Sequence, residues 1–446
     1  VVLFFTLFAT QYSGNTFLAF PGKAYRMGYG YIMSVTFMMA MIGGYLLYAP
    51  ALRKIATQHR FITPSDWIHH RYGHQTLTLL MSALMLFALI NYLLAQLMAM
   101  GHAVSGLSAG RIPYEFGVLF LAIVIVLYET LGGMRSVAWT DLLQGAMMVI
   151  AVILLGIYFF SFSDNFSNLP YEIKKISPEK VNPPGLKACL TWLSSIIIVG
   201  LGGAMYPQGI QRIYAAKSSK VLKHSFALMV FMPLFIVFFA YMMGIAAIVK
   251  FPGLEGTESD RVMAHMLAML AQEGVFLKFS VALLLVGAVA AMMSTADSVL
   301  LSLSSIVVQD FYLKTRRTKV EEKKLLRLGK ITSWGIILFL SFLALRPAVT
   351  LWRLLEMKFE LLIQVAPAFI LGLYTSRLKA SVALLGLVGG CLIALGGLLM
   401  GYSKWGGLHF GTLGFILNMA VCCGGIFWEL RKWELRKKEA THPDLC

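Results

Sequence analysis

Charge is scarce in this sequence, and acidic charge is scarcer still. Only 13% of its 446 residues are charged, 21 acidic against 38 basic. The chain is 58% hydrophobic, with a mean hydropathy of +0.75. A soluble chain of this length could not hide so much apolar surface, so the composition implies a polytopic α-helical membrane protein. Cysteine is also sparse. Cys189, Cys391, Cys422, Cys423 and Cys446 show neither metal-ligand spacing nor a disulfide framework. There is no Gly-Lys-Ser/Thr phosphate loop, so ATP does not drive the protein through this chain. No zinc spacing, kinase motif or catalytic set is present, and the reading is not that of an enzyme. The net charge of +17 would suit nucleic acid, but the basic residues sit at the ends of apolar runs. Membrane topology accounts for them better. Val1 lies directly in an apolar run with no signal-peptide n-region or cleavage site, so an upstream segment is expected.

What is abundant is apolar sequence. Twelve spans are predicted, at about 2–20, 25–52, 75–106, 114–133, 139–162, 187–212, 222–249, 274–309, 328–346, 354–375, 379–402 and 408–430. The connections alternate in charge. Those at Arg53–Arg71, Arg135, Arg212–Lys223, Lys314–Lys330, Arg377–Lys379 and Arg431–Lys438 hold 24 of the 38 basic residues. The positive-inside rule puts this set, and the C-terminal tail, in the cytoplasm, which suits a bacterial inner membrane. The run Lys314–Lys330 reads as a solvated loop. Thr63–Gly73 reads as a short interfacial helix whose His69 and His70 are surface residues rather than metal ligands.

Two spans are interrupted. Gln11, Ser13, Gly14, Asn15 and Thr16 concentrate in the middle of the first. If the helix opens there, its freed carbonyls need a cavity, water or a cation; the alternative is a polar contact between intact helices. In the sixth span Gly200, Gly202, Gly203 and then Pro207 break the hydrogen-bond ladder. Matching disruptions five spans apart point to a transporter of inverted repeats with its site at the midplane. The expected layout is a five-plus-five all-α core, residues 1–162 and 163–375. Two additional helices over 376–431 and a basic tail over 432–446 follow.

The eighth span carries a further polar face. Ala291, Ser294, Thr295 and Ser298 recur at helical spacing, and Asp297 lies at membrane depth. A carboxylate there faces a partner, a cavity or an ion path by default. Hydroxyls in such a helix also bond back to their own backbone or pack against a neighbour. Asn91, Tyr92 and Gln96 add polarity to the third span. At the fourth-to-fifth junction Trp139 reads as an interfacial anchor and Glu129 with Arg135 as an ion pair. Asp141 is either a helix cap or an ion ligand.

Six segments together resemble the sodium:solute symporter family, whose members include proline, pantothenate, sialic acid and sugar carriers. They are Ser13-Gly14 through Phe20-Pro21-Gly22; Thr63-Pro64-Ser65-Asp66; Gly132-Gly133 through Ala138-Trp139-Thr140-Asp141; Gln211-Arg212 with Ala215-Ala216; Met293-Ser294-Thr295 through Gln309-Asp310; and Ala366-Pro367 through Leu371-Gly372-Leu373-Tyr374. Family members usually carry one more helix before the first core span. The resemblance implies a Na⁺ site between the first and eighth spans, made by the carbonyls of Ala9, Tyr12 and Ala291 and the hydroxyls of Ser294 and Thr295. Oxygen ligands of this kind suit a hard cation. It also implies a second cation position at Asp141, Asp297 and Ser298. Asp297 stands there where some members have a hydroxyl residue, so a cation or proton is expected between the two carboxylates. The implied substrate liners are Gln11, Ser13, Thr16, Gln96, Gly203, Tyr206 and Pro207. Gln11 replaces the aspartate of the proline carriers, and the aromatic gate of the sugar carriers aligns with Gly202 or Gly203, so stacking on a sugar ring is not implied. The expected activity is Na⁺-coupled import of a small organic solute, an amino acid or a carboxylate, by alternating access. A proton-coupled carrier and a transporter-like membrane sensor are the alternatives.

Overall fold

The computed structural model describes residues 2–12, 14–108, 110–131, 134–161, 168–314, 321–346, 350–402 and 404–441. In chain order the helices are α1 (Val2–Gln11), α2 (Gly14–Met27), α3 (Met33–His59), α4 (Pro64–Tyr72), α5 (Gln75–Leu107), α6 (Tyr114–Leu131) and α7 (Met134–Ser161). Then follow α8 (Leu169–Ile176), α9 (Leu186–Ala204), α10 (Pro207–Ala215), α11 (Ser219–Met229), α12 (Pro233–Lys250), α13 (Val262–Leu270) and α14 (Val275–Ile306). The last five are α15 (Glu322–Ala344), α16 (Leu351–Leu362), α17 (Ala366–Tyr374), α18 (Ala380–Leu399) and α19 (Phe410–Thr441). A two-residue hairpin, β1 (Lys404–Trp405) and antiparallel β2 (Leu408–His409), joins α18 to α19. The tail expected over 432–446 is therefore helical as far as Thr441.

Nine helical stretches among the described residues are long and apolar enough to cross a membrane. The three other predicted spans depart from a plain apolar helix, each for its own reason. The first is divided between α1 and α2, and α6 offers a shorter apolar stretch at Tyr114–Leu127. The tenth carries Arg353, Glu356, Lys358 and Glu360 and is parted by a tight turn at Ile363–Val365 into α16 and α17. The breaks in the first and sixth spans fall where polar and glycine-proline sequence predicts them: α1 stops at Gln11, and α10 begins on Pro207. Proline is tolerated there because the first amide of a helix has no partner to lose. The result is the expected all-α transporter core with broken first and sixth spans, followed by α18 and α19.

Small residues set the close contacts, as lipid-embedded helices require. A Cβ added at Gly414 would lie 2.3 Å from the Gly390 carbonyl, so α18 and α19 touch backbone to backbone. The hairpin before α19 reaches inward. Ser194 of α9 holds His409 Nδ1 at 2.8 Å and Thr412 Oγ1 at 2.7 Å, and His409 Nε2 lies 3.9 Å from Glu356 Oε1 of α16.

Alternating spans put α4 at one end of the bundle and α8 and α13 at the other. At the α4 end, arginines finish helices whose last carbonyls lack intrahelical partners. Arg53 donates to the carbonyls of Ala216 and Lys217 after α10, and Arg71 to those of Gly372, Thr375 and Leu378 around the end of α17. Asp66 accepts from the amides of Ile62 and Thr63, which starts α4. Asp310 is buried in a π-helical turn, Val307–Leu313, that continues α14. It accepts from Thr63 Oγ1 at 2.8 Å and Ser82 Oγ at 2.9 Å. Lys314 lies 3.0 Å from both Asp310 and Asp66. The expectation of a solvated loop over Lys314–Lys330 fails at its start: Lys314 turns inward because two carboxylates wait there, and Lys323 to Lys330 lie on α15. His69 and His70 are exposed, as expected.

At the α8 end, Arg26 donates to Ser259 Oγ, to the Gly256 carbonyl at 3.2 Å and to Asp260 Oδ1 at 3.3 Å. The other Asp260 oxygen accepts from the Leu351 amide at 2.9 Å. One carboxylate thus ties α2 to the first turn of α16. Burial holds the Asp260 carboxyl above the usual carboxylate range, with Arg26 and the Leu351 amide pulling the other way.

Two outcomes follow from these networks. Asp310→Ala leaves Lys314, Thr63 and Ser82 without their shared acceptor and is expected to cost about 3–5 kcal/mol of stability in denaturant unfolding of the detergent-solubilised protein. For Asp260 the raised folded value means a contribution fully present below the ordinary aspartate value of 3.8 and lost as pH rises through the folded value. The stability of the wild type relative to Asp260→Asn is therefore expected to fall as pH rises above the ordinary aspartate value of 3.8, measured by thermal melting.

Candidate functional site

Breaking a helix inside a membrane frees carbonyls that must be satisfied by protein, water or an ion. In the sixth span two tyrosines of α3 do this. Tyr45 Oη donates to the Gly203 carbonyl at 3.1 Å, and Tyr48 Oη donates to the Ala204 carbonyl. Both rings are fully buried. Gln11 at the end of α1 donates from Nε2 to Tyr45 Oη at 3.0 Å. A single relay, Gln11 to Tyr45 to Gly203, therefore joins the two broken spans. A Cβ added at Gly203 would lie 2.3 Å from Met41 Sδ, so a larger residue there would have to push the Met41 side chain aside.

Beside this relay is a small cavity of about 30 Å³, room for little more than a water molecule in this closed arrangement. Gln11, Thr16 and Tyr206 line it together with Tyr92 of α5 and Lys358 of α16. The rest of the wall is apolar: Phe20, Phe37, Met38, Met41, Val199, Trp352, Leu355 and Phe359. Phe20, Tyr31, Phe37 and Trp352 pack edge-on or tilted, with centroids 5.3–6.3 Å apart, towards the Arg26–Asp260 contact.

Three of the expected substrate liners, Gln11, Thr16 and Tyr206, therefore meet at one cavity. Gln96 is buried in α5, Gly203 is turned to Tyr45 and Met41, and Pro207 starts α10; none of the three lines it. Ser13 lies outside the described residues. Aromatic rings do face the cavity, but from Tyr92 and Tyr206, stacked at 5.2 Å, and not from positions 202 and 203.

α14, which carries the hydroxyl residues of the expected Na⁺ site, packs against α1. Tyr12, Ala291, Ser294 and Thr295 are all buried. Ala9 lies on α1, and its side chain and that of Asp141 fall outside the described residues. Asp297 and Ser298 are buried too. Ser298 Oγ accepts from Arg212 of α10 at 2.7 Å, and Ser302 on the next turn donates to Gln211 Oε1 at 2.6 Å. A protein guanidinium thus stands at the edge of the second expected cation position.

Sequence reasoning overlooked Lys358, whose Nζ is fully buried and has no hydrogen-bond partner among the described residues. It lies over the rings of Tyr92, Tyr206 and Phe359, at 3.6, 5.0 and 5.1 Å from the centroids. Burying an ammonium costs several kcal/mol even after relaxation, whereas contact with ring faces returns about 0.5–2 kcal/mol. The rings alone do not offset the burial. The signal was available, since an ionisable residue inside a span is by default functional, and this span holds several.

Residues 1–390 match a family model for the sodium:solute symporter family. The sodium/pantothenate symporter of Escherichia coli (strain K12) is 27% identical over 402 residues, which are 89% of this chain and 81% of that protein. The osmoregulated proline transporter OpuE of Bacillus subtilis (strain 168) is 26% identical over 415 residues, 92% of this chain and 83% of that protein. Among solved structures, a Na⁺-coupled sialic acid symporter in a substrate-bound outward-open state aligns with a TM-score of 0.72 at 18% identity, over 95% of this chain and 89% of its own. That last likeness concerns the fold alone. Since the family match runs unbroken from the first residue into α18, the chain belongs to the sodium:solute symporter family.

Proposed function

We propose that this protein uses a Na⁺ gradient to import a small organic solute, an amino acid or a carboxylate, by alternating access. The observation that carries this reading is the meeting of both helix breaks at one buried cavity, beside the hydroxyl face of α14. The reading takes residues 1–162 and 163–375 as the two inverted repeats and 376–431 as the appended pair. It sets the α4 end, with the C-terminus, in the cytoplasm of a bacterial inner membrane; the 24 basic residues on that side support it.

In this scheme Na⁺ is a transported ion held by the carbonyls of Ala9, Tyr12 and Ala291 and the hydroxyls of Ser294 and Thr295. An ion shared by α1 and α14 draws the mobile first span onto the eighth and biases the protein towards the outward-facing state. Solute enters from the α8 end, so α2 and α16 must part there, breaking the link that Asp260 makes between Arg26 and the Leu351 amide. Release at the α4 end then follows loss of Na⁺, which loosens α1. Asp141, Asp297 and Ser298 enter the proposal as a second cation or proton position under one constraint. Arg212 already supplies positive charge there, so an added ion has to be met by carboxylate.

Two measurements test this. In proteoliposomes, Thr295→Ala is expected to raise the Na⁺ concentration for half-maximal uptake at least tenfold, the equivalent of about 1.4 kcal/mol. Equal behaviour in Na⁺ and K⁺ for wild type and variant would remove the Na⁺ site. Asp297→Ser is expected to lower the number of cations moved per solute, read from reversal potentials, and an unchanged stoichiometry removes the second position.

A further inference from the structure

Resting on the symport reading, we infer that Lys358 binds the carboxylate of the transported solute, and that this solute is a monocarboxylate without a free amino group. The Lys358 amine is fully buried and lines the same cavity as Gln11, Tyr92 and Tyr206, and a carboxylate brought beside it favours its charged form. Its protein surroundings hold it only by ring faces, which attract a cation but accept no ordinary hydrogen bond. All three of its protons therefore remain for a ligand.

The acidic residues on the same helix do not serve it. Glu356 and Glu360 lie two positions to either side, and residues two apart on a helix do not share a face. Glu356 accepts from Trp352 Nε1 at 2.7 Å and lies 3.5 Å from Arg353 and 3.9 Å from His409. Glu360 sits against α19, where a Cβ on Gly411 would meet its Cα at 2.5 Å.

The cavity also states what it rejects. No acidic side chain stands among the described residues that line it. A solute with a free ammonium group would bring a second positive charge beside Lys358 with no carboxylate to balance it. A single negative charge is neutralised by the single ammonium, and a second negative charge would be left unpaired in an apolar wall. Near Lys358 the Gln11 side-chain carbonyl has no hydrogen-bond partner among the described residues, so it offers an acceptor for a hydroxyl or amide of the same solute.

The test is thermal melting of the purified full-length chain in detergent, in Na⁺ and in K⁺. The probes are pantothenate, lactate and benzoate, each against its neutral counterpart, pantothenol, lactamide and benzamide, and L-proline as a zwitterion. Ligands that bind only the folded protein raise its melting temperature. The expected result is that at least one carboxylate stabilises in Na⁺ while its neutral counterpart and L-proline do not. Lys358→Met is then expected to weaken that carboxylate at least about thirtyfold and to leave stabilisation by Na⁺ alone intact. Methionine fills the same volume without charge, and removing an unpaired buried charge is not expected to unfold the protein. Lys358→Gln serves as a second variant if it does. Equal stabilisation by a neutral counterpart or by L-proline, stabilisation by none of the carboxylates, or unchanged affinity in the variants overturns the inference. A carboxylate effect that depends on Lys358 but not on Na⁺ would instead overturn the symport reading and leave the anion site standing.

Discussion

A backbone carbonyl inside a membrane has to be satisfied by something other than bulk water, and in this molecule the arrangement around both helix breaks answers to that demand. Tyr45 and Tyr48 take up the carbonyls that the sixth span loses at Gly203 and Ala204. The Gly203 carbonyl also accepts from the Tyr206 amide at 3.3 Å, so the phenols complete what the backbone turn begins. With them the break becomes a fixed corner. The corner places Tyr206 beside Tyr92 and sets one wall of the cavity. Because Gln11 donates to the same Tyr45 oxygen, the first break is registered against the sixth through one phenol.

Around this corner, segments that are far apart in sequence meet in pairs. Thr63 meets Asp310, bringing the start of α4 to the end of α14. Gln211 and Arg212 meet Ser302 and Ser298, bringing the inner half of the sixth span to the same helix. α14 is therefore the element on which the α4 end of the bundle is assembled, and its hydroxyls serve both packing and the proposed ion position.

Most of the fold was legible because the membrane imposes it: apolar length gives the spans, basic residues give their ends, and glycine-proline sequence gives the breaks. The candidate site was legible only in part. Gln11, Thr16 and Tyr206 sit at the breaks themselves, where irregular sequence marks them. Gln96 and Pro207 share that polarity or irregularity but point elsewhere, and periodicity alone does not say which neighbour a helix face meets. Tyr45 and Tyr48 look like ordinary aromatic residues of an apolar span, since their role exists only once α9 ends beside them. Lys358 was hidden for the opposite reason: charges at Arg353, Glu356 and Glu360 made the span look like an amphipathic end, and no spacing rule separates Lys358 from Arg353 and Glu356, which pair with each other. Lys314, placed in a loop from its basic neighbours, turned inward for carboxylates more than two hundred residues away and four residues away.

The hairpin between α18 and α19 changes how the appended pair should be regarded. His409 and Thr412 grip Ser194 of the sixth span, and His409 approaches Glu356 of the tenth. The hairpin and the first turn of α19 therefore tie the sixth span to the tenth, and Val199, Trp352 and Leu355 of these spans line the cavity, so the last two helices brace the wall of the site and are not a passive appendage.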